Sequence, residues 1–127
     1  YSGGPERGRP LVLIHSINAA PSAFEMKPLY DHYCTTRRVY VPELPGFGFS
    51  DRSDRAYSPE LYANAINAFL ATVVEAPADV IAFSLSSEFA ARAALARAEA
   101  QQRFAQRQLD RARDQRDRPG RDAPPDR

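Results

Sequence analysis

The apolar residues of this chain gather in short blocks separated by polar, turn-forming stretches. Leu11-Val-Leu-Ile14 is a continuous apolar run, the pattern of a strand buried on both faces of a parallel sheet. Arg38-Val-Tyr-Val41, closed by Pro42, predicts a second strand, and Asp79–Phe83 predicts a third. Between them the spacing turns helical. Pro21 and Ser22 open a helix over roughly Ser22–Tyr33, with Ala23, Met26, Leu29 and Tyr30 on one face. Ser58-Pro59-Glu60 opens a second, with Ser58 as N-cap and Pro59 at the first helical position. It runs to about Val74, and Leu61, Ala65, Ala68, Phe69 and Thr72 or Val73 can line its buried face. A third helix runs from Ser86 to about Ala98. Residues 1–10 are turn-rich and polar, with no strand expected.

The resulting order, βαβαβα, argues for an α/β fold: a three-stranded parallel sheet with right-handed crossovers and helices on both faces. After residue 98 the pattern stops. Of Val, Ile, Leu, Phe and Tyr, residues 97–127 contain only Phe104 and Leu109. Gln101–Asp110 can extend the helix by a few turns. Arg111–Arg127 is Arg/Asp repetition with too little apolar surface to offset chain entropy, and reads as disordered. Leu95, Phe104 and Leu109 share no common seam, so no heptad is expected. The expected organisation is a folded part, 1–98, and an Arg/Asp/Gln-rich tail, 99–127.

Charge changes this picture little. The chain carries 17 Lys/Arg and 16 Asp/Glu, a net of +1, and so offers no electrostatic case for nucleic acid or membrane. No run is long and apolar enough to span a bilayer or to act as a signal peptide. The single Cys34 excludes an internal disulfide and fits a reducing, cytoplasmic compartment. The chain starts at Tyr1 rather than Met, which fits a start lost to processing or to a partial reading frame.

Three segments could carry chemistry. Asp79-Val-Ile-Ala-Phe-Ser84-Leu-Ser-Ser-Glu-Phe-Ala-Ala91 turns sharply from strand to helix. A serine there is pushed clear of the sheet, with a helix N-terminus behind it to favour developing negative charge. A serine before a helix is also an ordinary N-cap type. Leu11-Val-Leu-Ile-His15-Ser16-Ile17-Asn18 ends a buried strand, where backbone N–H groups can form half of an oxyanion hole. Its histidine alone reads as a core residue with ring nitrogens bonded to backbone. Pro45-Gly-Phe-Gly-Phe-Ser50-Asp51 has a Gly-x-Gly, but no third glycine and no direct strand-to-helix passage. It is therefore no dinucleotide fingerprint.

Taken together, in this order and spacing, the three resemble the α/β-hydrolase family over about residues 10–98. His15-Ser16 is similar to the family's strand-ending His-Gly. Pro42-Glu-Leu-Pro-Gly-Phe-Gly-Phe-Ser-Asp51 is similar to its Asp-x-Pro-Gly-x-Gly-x-Ser loop. Ala82-Phe-Ser84-Leu-Ser86 resembles its nucleophile elbow. The resemblance implies Ser84 as nucleophile, with the backbone N–H groups of Leu85 and Ile17 as oxyanion donors. It implies ester-like hydrolysis of a small-molecule substrate without cofactor or metal. Ser16, Ala82 and Ser86 stand where the family has glycine, and Glu43 where it has aspartate.

The family orders its triad Ser, then Asp or Glu, then His. Here the only histidines, His15 and His32, both precede Ser84. None of the acids after Ser84 follows a predicted strand. The expected product is thus a truncated, inactive form of a serine hydrolase. The strand before Ser84 should be left as a bare sheet edge. The abrupt change of composition after residue 98 resembles translation of a GC-rich gene in a wrong frame, or a true Arg-rich extension. A non-catalytic binding module with an Arg-rich tail is the alternative function.

Overall fold

The structure is a computed structural model of the chain and describes residues 1–117. Four strands form one sheet: β1 (Ser2–Gly3), β2 (Leu11–Ile14), β3 (Val39–Tyr40) and β4 (Asp79–Ala82), in the order β1-β3-β2-β4. The strands β3, β2 and β4 are parallel, as the alternating pattern predicts. All four residues of β2 are buried, which is why that run carries no polar alternation. It lies between two neighbours, pairing Leu11 with Val39 on one side and Leu11 through Ile14 with Asp79 through Ala82 on the other. Burying each of these large side chains contributes about 1.5–3 kcal/mol.

One strand was not expected. Ser2 and Gly3 pair antiparallel with Tyr40 and Val39, and Val41 N–H donates to the Tyr1 carbonyl at 2.8 Å. Two polar, glycine-containing residues give no period-two signal, so only the partner strand reveals this pairing. The second parallel strand is also shorter than Arg38–Val41, because only Val39 and Tyr40 pair with neighbouring strands as a ladder.

The helices cover both faces. Ser22 caps a short 3-10 turn, Ala23–Met26, which leads into α1 (Lys27–Tyr33). Ala23 and Met26 are buried with Leu11, Leu13, Val39 and Val41, and Leu29 and Tyr30 pack against them, on the face that the spacing predicts. Ser58 Oγ accepts from Leu61 N–H and caps α2 (Pro59–Phe69), which passes into a π-helical turn over Leu70–Val74. Its buried face matches the expected one only in part: Phe69 packs against the core as expected. Tyr62, Ala63 and Ile66 are buried, while Ala68 and Val73 are exposed. The buried stripe includes Tyr62, which stacks on Phe89 with ring centroids 4.8 Å apart.

The third helix, α3, spans Ser86–Asp117. It thus continues through Arg111–Asp117, where disorder was expected; Ala, Arg and Gln are good helix formers even without a buried face. Residues 118–127, the remainder of that segment, lie outside the described residues. Tyr1–Leu95 forms one compact unit, which carries the sheet. The residues 96–117 of the second unit are helical and exposed throughout. β4 pairs only with β2, so its outer edge is open among the described residues, and Val80 is 38% exposed. No described helix is long and apolar enough to cross a membrane.

Candidate active site

The parallel strands β2 and β4 deliver two turns side by side. Ile14 pairs with Ala82, and Phe83 N–H still donates to the Ile14 carbonyl at 3.0 Å. Beyond that bond both chains leave the sheet. Three residues past each paired position stand Ile17 and Leu85. Among the described residues, neither of these backbone N–H groups has an acceptor.

Ser84 lies between β4 and α3 with φ of 53°, in the left-handed region that a non-glycine residue rarely adopts. Holding it there costs of order 1–3 kcal/mol. Ser86 N–H donates to the Phe83 carbonyl and Ser87 N–H to that of Ser84, so the turn is tight and passes directly into the helix. Ser84 is exposed, and among the described residues its hydroxyl makes no hydrogen bond. It is therefore not an N-cap; that role would require its oxygen to accept from a first-turn N–H.

Two of the three residues that stand in place of glycine have hydroxyl groups with partners. Ser86, fully buried, donates its hydroxyl to the His15 carbonyl at 2.6 Å. Ser16 donates its N–H to Glu25 Oε2 at 2.7 Å and its hydroxyl to Glu25 Oε1 at 2.9 Å. Asn18 donates to the Ser16 oxygen at 2.7 Å. The sequence offered no signal for Glu25, which stands nine positions and a loop away from Ser16.

His15 is completely buried. Its Nε2 accepts from Leu44 N–H at 3.0 Å, so Nδ1 must carry the proton, and it donates that to the Ser16 carbonyl at 2.7 Å. Both ring nitrogens are occupied by backbone, as for a core histidine. His32 is exposed in the last turn of α1 and packs edge-on against Tyr33. Neither imidazole is bonded to Ser84. Glu88, one turn along α3, is held by Arg92 at 2.7 Å instead.

The loop after β3 is organised by Glu43. Its carboxylate accepts from Ala23 N–H at 3.2 Å and Phe49 N–H at 2.6 Å, and Ser50 donates to its carbonyl. Burial opposes ionisation of this carboxyl, but the Phe49 and Ala23 donors outweigh it and hold its pKa below the ordinary value. Gly48, at φ of +54°, runs so close to that carboxylate that any side chain would collide with it. An open cavity of about 950 Å³ lies against this loop, lined by Phe24, Tyr40, Glu43, Phe49 and Phe69 among others, but not by Ser84, Ile17 or Leu85. It flanks β3, and β2 separates that strand from β4. No group of three or more metal-ligating side chains occurs among the described residues.

A strand-to-helix turn with a left-handed serine, unpaired N–H groups in the turns after β2 and β4, and a Pro-Gly-Phe-Gly loop whose Leu44 N–H bonds His15 stand at one end of the parallel strands. The profile of the alpha/beta hydrolase family matches residues 11–126. The chain belongs to the alpha/beta hydrolase family. No curated protein matches it. The family match starts at β2, whose end carries His15, and continues beyond residue 98, where the hydrophobic pattern stops. As an alpha/beta hydrolase, the chain is of hydrolase type in general. Ser16 and Ser86, both small, each use the hydroxyl as a tie, Ser16 to Glu25 and Ser86 to the His15 carbonyl.

Proposed function

We propose that Ser84 is the nucleophile of an ester-hydrolysing site whose oxyanion donors are the N–H groups of Ile17 and Leu85. The observation that carries this reading is the left-handed φ of Ser84, a strained conformation at an exposed turn with its hydroxyl unpaired. Strain of that kind persists where the surrounding structure enforces it, and here β4, α3 and the Ser86–His15 bond do so. In the reaction, Ser84 Oγ bonds to the substrate carbonyl carbon. The carbonyl π electrons move to its oxygen, which the two N–H groups stabilise. The serine proton must leave to a base.

Among residues 1–117 neither histidine is bonded to Ser84: His15 has both ring nitrogens bonded to backbone, and His32 lies exposed in α1. The chain by itself therefore has negligible hydrolase turnover; removal of a triad member leaves only the residual effect of binding and oxyanion stabilisation. A fluorophosphonate, which needs an activated serine, should leave the chain unlabelled, and rapid labelling at Ser84 would overturn this. Phenylboronic acid under alkaline conditions tests the nucleophile's place without a base. The tetrahedral boronate exchanges one hydroxide for Ser84 Oγ, releasing water with the serine proton. An adduct lost in Ser84→Ala is expected, and an adduct retained by that variant would refute the assignment.

A further inference from the structure

We propose that Glu25 is a positioning residue for the oxyanion site: it takes up both donors of Ser16 and so anchors the residue whose peptide unit carries the free Ile17 N–H at the end of β2. This rests on the reading of Ser84 and its oxyanion donors above, and deepens it.

Four groups just past the end of β2 have specific partners. The His15 carbonyl accepts from Ser86 Oγ, and the Ser16 carbonyl accepts from His15 Nδ1. Ser16 N–H and Oγ–H both go to the Glu25 carboxylate, at 2.7 and 2.9 Å. Such two-point, charge-assisted bonding fixes orientation as well as position. Ser16 and Ile17 share a peptide unit, so the plane set by the Ser16 carbonyl is also the plane of Ile17 N–H. Asn18 closes the far side: its Nδ2 donates to Ser16 Oγ at 2.7 Å while its side-chain Oδ1 accepts from Ala20 N–H at 2.9 Å. The hydroxyl that replaces the family glycine's hydrogen is thus the hinge point of a clamp. Without Glu25, Ser16 N–H would be a second unpaired donor next to Ile17, and the peptide unit between them would be held only by the His15 Nδ1 bond to the Ser16 carbonyl.

Glu25 itself sits in the Ala23–Met26 turn, between the buried Ala23 and Met26. Its backbone is therefore held by the core, while Glu25 is itself exposed and can be substituted without opening that core. This allows a test that separates positioning from folding.

The full chain, labelled with carbon-13 and nitrogen-15, is titrated with phenylboronic acid under the same alkaline conditions. Carbon-detected spectra follow the Ser16–Ile17 and Ser84–Leu85 peptide units without relying on amide protons. In the wild type both nitrogens should shift as the boronate oxygen settles between them. In Glu25→Ala the Ile17 shift should fall several-fold while the Leu85 shift persists. Glu25→Gln should restore it, because the amide oxygen can accept from Ser16 N–H while its NH₂ donates to Ser16 Oγ. An Ile17 response in Glu25→Ala equal to that of the wild type would overturn the proposal. So would failure of Glu25→Gln to restore it. If Glu25→Ala fails to fold, Glu25→Asp, which draws the carboxylate back by one methylene, is read in the same way. Absence of any shift at both Ile17 and Leu85 in the wild type would instead refute the underlying oxyanion assignment.

Discussion

The hydroxyl of Ser86 donates a 2.6 Å hydrogen bond to the carbonyl of His15, joining the first turn of α3 to the end of β2 across 71 positions of sequence. Both residues are fully buried. This bond keeps the two turns of the candidate site in register after the sheet ladder ends at Phe83.

Ser86→Ala should lower stability by about 1–3 kcal/mol, since it leaves a buried carbonyl without its partner. Urea unfolding followed by circular dichroism checks this: the midpoint should fall with little change in slope. An unchanged midpoint would show that the tie is not needed to hold β2 and α3 together.

Ser84→Gly should raise stability by up to about 1 kcal/mol, because glycine adopts φ of 53° without a steric penalty. Part of that gain is offset by the larger conformational freedom of glycine in the unfolded chain. Thermal unfolding of Ser84→Gly beside Ser84→Ala decides it. Alanine should be no more stable than serine, whereas glycine should exceed both.

Acid should weaken the base of the sheet through Asp79. A hydrogen bond from Arg37 is the largest influence on its carboxyl and, with the charges of Arg37 and Arg9, holds its pKa below the ordinary value. A carboxyl depressed in the folded state contributes stability that is present above its unfolded pKa and is lost as pH falls through the folded one. The wild type should therefore lose stability faster than Asp79→Asn as pH drops below the ordinary aspartate range. Melting temperatures of the two proteins across that window should converge; parallel curves would remove Asp79 from the account.

The open edge of β4 predicts self-association. Val80 is 38% exposed there, and Phe83 and Leu85 are exposed just beyond it. Val80→Lys should reduce association, because a charge on an unpaired strand disfavours edge-to-edge pairing. Light scattering over a concentration series provides the measure, and equal association in both proteins would place the contact elsewhere.

Much of the fold was legible from local pattern. The apolar run Leu11–Ile14 marked a strand with two neighbours, and Ser22 and Ser58 marked helix starts. His15 was readable as a core histidine because it follows that run directly. The buried face of α2 was legible only at Phe69, because Leu61, Ala65 and Ala68 suit a helical stripe as well as Tyr62, Ala63 and Ile66 do. Of the latter, Tyr62 stacks on Phe89 in the fold. The Arg-rich stretch to Asp117 was read as disordered for want of apolar surface, yet its backbone satisfies its own hydrogen bonds in a helix.

By itself the sequence determined the alternation of strands and helices, the serine at the elbow and the lack of any histidine after it. These depend on residue type and near-neighbour spacing, which a linear chain displays. Tertiary structure alone decided that Ser2–Gly3 joins the sheet, that Glu25 clamps Ser16, and that Ser86 binds His15. Each of those is a hydrogen bond between residues that become neighbours only once the chain has folded, and a polar side chain carries no mark of the distant group it will meet.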